Sequence, residues 1–264
     1  MAKLFKYRGV SNAILPNPMS MDKSVVRTTL IPSLLNVYQY NKKRKVKDIS
    51  LYEIAKTYDS EYNETSLICG LCSGDYLNNG WTKPVKYDFY IVKGIVENVL
   101  DYMGFKNRYS LEVSDCSDLH PGISANILLD RKVIGVIGRV HPSVLKDEVY
   151  VFEINVDKLI PYPSRTNEFK HIPVLPSIEK DLSLIVDENV TWGELTKYIK
   201  SKVSSIKFIE EYRGDQIPEG KKSIMLRVTF DSENTTFTNE EINSKLDASA
   251  VWRLKKLRLS AELR

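Results

Sequence analysis

Two cysteines are the first residues of this sequence whose type and spacing could do chemistry. Cys69 and Cys72 have the CxxC separation found in zinc sites and in thiol redox pairs. They lie in an apolar, strand-like run, where residues three positions apart point to opposite faces, and no second Cys or His pair stands near them. We therefore predict two buried structural thiols and no metal site.

The histidines offer no catalytic set. His120, His141 and His171 are each isolated, and the first two stand in His-Pro dipeptides, which are typical of turns. The sequence contains no HExxH, GxSxG, P-loop or GxGxxG motif. We predict no catalytic residue in this chain, and a protein of this length without one is more typical of a binding or scaffolding element than of a self-sufficient enzyme.

Basic residues near the C-terminus are the third candidate set. Residues 224–230 and 257–264 both alternate between apolar and other side chains, as in strands with one wet face. The basic side chains expected on that wet face are Arg227, Arg258 and Arg264, with Arg213 beside them. Guanidinium groups on a flat sheet suit phosphates and unstacked bases, although an exposed sheet face is also ordinarily polar.

The strands and helices predicted around these residues indicate how the wet face of the sheet is formed. A strand at 182–186 precedes a helix that starts with a capping box at 191–194. Strands at 208–213 and 224–230 follow, then a second capping box at 238–241 and a final strand. The order β-α-β-β-α-β is that of the split βαβ, ferredoxin-like fold, in which both helices cover one side of the sheet. The other side stays free for a ligand.

The N-terminal part is predicted to be α+β with a largely antiparallel sheet. Two short helices are expected in the first forty residues, strands at 49–54 and 66–72, and a helix over 88–103 that Asp88 caps. A hairpin over 124–140 and a strand at 150–156 follow. Prolines crowd between 158 and 176, so we predict two domains, 1–165 and 172–264.

Composition supports a reduced, soluble protein. The three cysteines give no disulfide framework, no signal-peptide pattern opens the chain, and no apolar run approaches a membrane span. We predict a cytoplasmic protein with no membrane partner. The net charge is +4. Residues 172–264 have 15 basic and 15 acidic side chains, so the whole excess of positive charge lies in residues 1–171. The densest basic run, at 42–47, is interpreted as a solvated helix end.

Several passages, in this order, resemble the beta subunit of bacterial phenylalanyl-tRNA synthetase. Each passage alone is weak evidence for the resemblance, but their occurrence in this order is specific to the family. The N-terminal passages are NPMS at 17–20, VRTTLIPSLL at 26–35, YN at 40–41, LYEI at 51–54, DFY at 88–90, KG at 93–94, LHPG at 119–122, SA at 124–125, GVIG at 135–138 and HP at 141–142. The C-terminal passages are PS at 176–177, DL at 181–182, YRG at 212–214, IPEGKKS at 217–223, TFT at 236–238 and EE at 240–241. Lys180 stands where the family usually has arginine.

The resemblance implies a class II synthetase-like, non-catalytic module followed by a ferredoxin-fold anticodon-binding domain. It implies a role within phenylalanine-tRNA ligase, in which this chain binds the tRNA anticodon stem-loop and scaffolds the catalytic alpha subunit in an assembly of two alpha and two beta subunits. ATP and magnesium would act in the alpha subunit, with no cofactor bound by this chain. The predicted RNA-binding residues are Arg213, Lys221, Lys222, Arg227, Arg258 and Arg264.

Three alternatives remain open at this point. The modules could form a free-standing RNA-binding or regulatory protein, or a structural oligomerisation element that never contacts RNA. A single-chain synthetase of the organellar type requires class II motifs with an ATP-gripping arginine pair, and no FRxE-like stretch is present.

Overall fold

The computed structural model describes residues 14–21, 24–163, 175–199, 203–214, 216–231 and 260–262. The chain divides into two compact units, Met1–Glu168 and Phe169–Arg264. Each unit contains its own sheet and its own buried hydrophobic clusters. Across the described ranges, no helix is both long enough and apolar enough to cross a membrane.

A six-stranded antiparallel sheet is the centre of the first unit. The strands of this unit are β1 (Ile49–Tyr58), β2 (Glu64–Ser73), β3 (Asp75–Leu77), β4 (Val85–Lys86), β5 (Tyr109–Val113), β6 (Leu119–Leu129), β7 (Lys132–Val140) and β8 (Tyr150–Asn155). The sheet has the order β1-β2-β8-β7-β6-β5, and β3 pairs with β4. The predicted hairpin turns at Asp130 and Arg131, both with positive φ, as a two-residue type I′ turn requires.

Helix α1, Ile31–Lys43, packs on one face of this sheet. Pro32 lies in its first turn, where the missing N–H breaks no helical hydrogen bond. We predicted two short helices in the first forty residues, and the described part of that segment contains one α-helix, α1, which begins at Ile31.

The end of α1 is a left-handed turn. The Val46 N–H donates to the Asn41 carbonyl at 3.3 Å, and Lys45 has a φ of 67°. This is the geometry of a Schellman motif, whose left-handed position usually holds glycine. The chain then passes directly into β1.

Helix α2, Phe89–Tyr102, packs on the opposite face of the sheet. The predicted cap is confirmed, because the Asp88 carboxylate accepts a hydrogen bond from the Ile91 N–H at 2.7 Å. Its buried side chains are Val92, Val96 and Leu100.

The two cysteines of β2 point to opposite faces, as predicted. Cys69 belongs to the hydrophobic cluster beneath α1 and Cys72 to the cluster beneath α2. Neither forms a disulfide bond among the described residues. Burial raises the pKa of Cys72 to about 11, so this thiol stays protonated and unreactive near neutral pH.

A buried carboxylate fastens the segment before α1 to the sheet. Glu153 of β8 is fully buried, and its Oε2 accepts hydrogen bonds from the Thr29 hydroxyl at 2.6 Å and the Leu30 N–H at 2.8 Å. Hydrogen bonds to the charged form offset the cost of removing a carboxylate from water.

The second unit is built on a four-stranded antiparallel sheet. Its elements are β9 (Ile178–Asp187), α3 (Trp192–Ile199), β10 (Ser205–Tyr212), β11 (Lys221–Phe230) and β12 (Ser260–Glu262). The order β10-β11-β9-β12 is the one that the predicted ferredoxin-like arrangement requires. The second helix, predicted to follow residue 238, lies outside the described residues.

The capping box of α3 is confirmed. The Glu194 N–H donates to the Thr191 hydroxyl at 3.3 Å, and the Glu194 carboxylate accepts from the Thr191 N–H at 3.0 Å. Leu195 and Ile199 then pack the helix against the sheet.

Candidate nucleic-acid interface

The two faces of the second unit's sheet differ in exposure. One face packs against α3 and holds the buried apolar row that the alternation predicted. Its buried members on β9 and β11 are Leu182, Leu184, Val186, Ile224, Leu226, Val228 and Phe230. We call the other side the open face. By strand register it carries Ser205, Lys207, Glu210, Tyr212, Lys221, Ser223, Met225, Arg227, Thr229, Glu179, Asp181, Ser183, Ile185 and Asp187.

A β-bulge decides what β10 presents on the open face. Phe208 lies opposite Leu226, whereas Glu210 lies opposite Met225, so Ile209 is an extra residue. If β10 paired with β11 without a bulge, Ile209 would lie opposite Met225, and period-two alternation would turn Glu210 and Tyr212 toward the helix side. The bulge therefore places Tyr212 on the open face.

Two large side chains of the open face are partly exposed, Tyr212 at the end of edge strand β10 and Met225 in β11. Tyr212 is 48% exposed and Met225 is 37% exposed. The Ser183 and Ser223 hydroxyls form a 3.1 Å hydrogen bond beside them. Our sequence interpretation missed Tyr212, although the adjacent apolar pair at 208 and 209 breaks the alternation and was the available signal of a bulge.

Arg227 lies on the open face as predicted. Its guanidinium, however, already forms ion pairs with two carboxylates of the same face. Its Nε and Nη2 donate to the two carboxylate oxygens of Asp181 at 2.7 and 2.8 Å, and Nη1 lies 3.4 Å from a Glu179 oxygen. The hydrogen-bonded carboxylate raises the pKa of Arg227, and the guanidinium in turn lowers the pKa of Asp181. A bidentate pair of this kind fixes the guanidinium in one orientation.

Lys222 and Arg213 share a different carboxylate. Lys222 lies in the same strand row as Ile224, its side chain is 12% exposed, and its Nζ lies 3.6 Å from Glu211. Arg213 Nη2 lies 2.9 Å from Glu211, and its Nε lies 3.9 Å from Glu188. The register therefore puts Lys222 on the helix-side row and not among the open-face residues.

The remaining predicted basic residues divide as follows. Lys221 lies in the open-face row, opposite Asp187, and has no ion-pair partner among the described residues. Arg258 and Arg264 lie outside the described residues. Lys180 lies opposite Val228, in the row of the buried residues, so this departure from the family pattern falls on the helix side.

The histidines of the first unit have local partners. The His141 Nδ1 shares a 2.7 Å hydrogen bond with the Ser143 hydroxyl, and the His120 Nδ1 accepts from the Gly122 N–H at 3.1 Å. His171 lies outside the described residues. His141 directly precedes a turn, as predicted, whereas His120 lies within strand β6, so the turn prediction is wrong for His120.

Fold and face together define a class of protein. Four-stranded antiparallel sheets with helices on one side and aromatic side chains exposed on the other are a common platform for single-stranded RNA. Here a four-stranded antiparallel sheet with α3 on one side and Tyr212 exposed on the other follows a larger α+β unit with a six-stranded antiparallel sheet.

The chain belongs to the phenylalanyl-tRNA synthetase beta chain family. Residues 3–156 match the family model described as phenylalanyl tRNA synthetase beta chain CLM domain. Residues 173–264 match the model of the ferredoxin-fold anticodon binding domain. The family resemblance and the fold class that the sequence predicted are both confirmed.

Three relatives illustrate the similarity, and each is named phenylalanine–tRNA ligase beta subunit. The protein of Geobacillus kaustophilus is 36% identical over 239 residues, which cover 85% of this chain and 30% of the relative. That of Bacillus subtilis is 34% identical over 247 residues, covering 88% and 30%. A Staphylococcus aureus protein is 34% identical over 245 residues, also covering 88% and 30%. The chain thus spans about 30% of the length of these relatives.

Proposed function

We propose that this chain is part of the beta subunit of a phenylalanine-tRNA ligase and that its second unit holds the tRNA anticodon stem-loop on the open face. The observation that carries the proposal is the Tyr212 ring, which the β10 bulge leaves half exposed beside Met225. An unstacked base packs on such a surface whatever its identity, because every base has a π-face.

Polar groups next to Tyr212 are suited to recognise base edges. Glu210 and Ser183 both lie in the register row of Met225, and Ser223 lies opposite Tyr212. A carboxylate accepts hydrogen bonds from amino groups of bases, and a hydroxyl can donate or accept. We infer that these groups supply base discrimination.

The basic residues have unequal parts in this proposal. Lys221 can contact a phosphate directly, whereas Arg227 must exchange Asp181 for the RNA. We retain Arg213, Lys222, Arg258 and Arg264 as proposed RNA contacts. The tRNA is then held mainly by stacking and base contacts.

The first unit is proposed to pack against the alpha subunit. Its edge strand β1 exposes Tyr52 by 76% and Ile54 by 65%. In this assignment ATP and magnesium act in the alpha subunit, in a cytoplasmic assembly of two alpha and two beta subunits. This chain positions the tRNA and contributes no catalytic residue.

Binding of phenylalanine-specific tRNA to the full chain tests the open face. Stacking of one base contributes roughly 1 to 3 kcal/mol, so Tyr212→Ala should weaken binding about 5- to 150-fold. Tyr212→Phe retains the ring and should bind within about twofold of wild type. Tyr102→Ala removes a tyrosine that is 93% exposed on the first unit and is the matched control. Unchanged affinity of Tyr212→Ala would remove the open face from the proposal.

Coexpression with an alpha subunit tests the partner. Co-elution at a mass above that of the chain alone is expected. Elution of the two proteins apart, with tRNA binding intact, would favour the free-standing RNA-binding alternative.

A further inference from the structure

Exposed cations and an aromatic ring come together at the end of α1. We call Tyr40, Lys43, Arg44, Lys45 and Lys47 the basic corner. All five side chains are exposed, and the Arg44 guanidinium lies 3.3 Å from the centre of the Tyr40 ring. The Arg44 Nη1 also donates to the Tyr40 carbonyl at 3.1 Å, which holds the stacked pair in place.

Two nearby carboxylates, those of Asp147 and Asp48, contact groups outside this corner. Asp147 pairs with Lys42, and Asp48 accepts a hydrogen bond from the Asp75 N–H at 2.7 Å. None of the four corner cations has an ion-pair partner within the described ranges. In the second unit, by contrast, Arg213, Lys222 and Arg227 pair with carboxylates, whereas Lys221 has no ion-pair partner among the described residues.

The helix dipole explains only part of this pattern. Cations in the last turn of a helix are stabilised by its carbonyl end, which accounts for Lys42 and Lys43. Lys45 and Lys47 lie beyond the helix, and Lys45 occupies a left-handed position that favours glycine. A solvated helix end requires neither of them.

We propose that the basic corner is a second RNA-contacting surface, at which lysines bind backbone phosphates and the Tyr40–Arg44 pair stacks against sugar or base. Mixed cation and aromatic surfaces are typical of RNA-binding proteins. This inference rests on the proposed function, which identifies the RNA as a tRNA. It adds that most of the salt-dependent part of the affinity comes from the first unit, whose 22 basic and 19 acidic side chains in residues 1–168 give +3 of the net charge of +4.

Salt dependence of tRNA binding to the full chain is the decisive measurement. Each phosphate contact contributes about 0.7 to 0.9 to the slope of log K against log salt concentration. The triple variant K43Q/K45Q/K47Q should lower that slope by about 2 and weaken binding at least tenfold near 50 mM salt. The Tyr212→Ala variant should weaken binding with the wild-type slope.

The control removes the same charge elsewhere. Lys106, Lys132 and Lys158 are exposed and lie near the opposite end of the six-stranded sheet. The variant K106Q/K132Q/K158Q has the same net charge as K43Q/K45Q/K47Q and should keep the wild-type slope to within about 0.5. Equal slope losses in both variants would show a general charge effect and overturn the proposal.

The outcomes separate the two proposals. If K43Q/K45Q/K47Q keeps the wild-type slope and Tyr212→Ala binds weakly, the proposal for the basic corner is overturned and that for the open face stands. A reduced slope together with full binding by Tyr212→Ala overturns the open face alone. Loss of alpha-subunit co-elution in K43Q/K45Q/K47Q with an unchanged slope would assign the corner to a protein partner.

One further variant distinguishes binding from folding. Lys45→Gly removes a charge while supplying the residue that the left-handed position favours. Its thermal midpoint should not fall, and its binding slope should decrease by about 0.7. A lower midpoint with an unchanged slope would assign Lys45 a purely structural role.

Discussion

Glu153 provides the sharpest test of how the first unit is held together. Replacing it with alanine removes both acceptor bonds and leaves the Thr29 hydroxyl and the Leu30 N–H buried without that carboxylate. Hydrogen bonds to charged groups contribute roughly 1.5 to 3 kcal/mol each, so two of them predict a loss of about 3 to 6 kcal/mol in the free energy of unfolding. Glu153→Gln keeps the volume and an acceptor oxygen for Leu30. We expect it to lose roughly half as much.

Urea denaturation followed by hydrogen exchange and mass spectrometry makes this measurement, because it separates the two units by peptide. Peptides of α1 and β8 should lose protection in Glu153→Ala, whereas peptides of β9 and β11 should keep theirs. Thr29→Val completes a double-mutant cycle and should show a coupling energy of about 1 to 3 kcal/mol with Glu153→Ala. A loss below about 1 kcal/mol in Glu153→Ala, or equal losses in the alanine and glutamine variants, would contradict the argument.

Three further predictions follow from single groups. Lys45→Gly should raise the free energy of unfolding by about 1 kcal/mol in urea titration, because glycine relieves the left-handed backbone. Cys72, with its pKa raised to about 11, should alkylate with iodoacetamide at pH 8 far more slowly in the native protein than in urea. Because Arg227 lowers the pKa of Asp181, their ion pair should stabilise the second unit above the ordinary pKa of aspartate. That stability should be lost as the pH falls through the lower folded-state pKa, and Arg227→Ala should remove this acid dependence of β9 and β11 exchange.

Local signals were sufficient wherever one element contains its own determinants. The Asp88 cap, the Thr191 capping box and the alternation of 224–230 each act within a few residues, and the structure confirms all three. The opposite orientation of Cys69 and Cys72 follows from strand geometry alone. The helix-covered side of the second sheet was predictable for the same reason.

The composition of the open face depended on contacts between distant segments. Arg227 and Asp181 face each other only because of the register between β11 and β9, and no local pattern contains that register. The bulge at Ile209 reverses the faces of Glu210 and Tyr212, so simple alternation from Phe208 places them on the wrong side. Buried Glu153 was likewise unpredictable, since its partners lie more than a hundred positions earlier in the chain.

The pairing of cations within the second unit has a consequence for specificity. Unpaired cations bind every phosphate backbone alike, so they raise affinity for all RNA and distinguish none. A face whose arginine is already bound to Asp181 gains little from a phosphate, because that contact must first break an existing bidentate pair. A ligand that presents a base to Tyr212 incurs no such cost. Separating an unpaired basic corner from a face on which Arg227 is ion-paired and Tyr212 is exposed would therefore let the first unit supply attraction while the second discriminates among sequences.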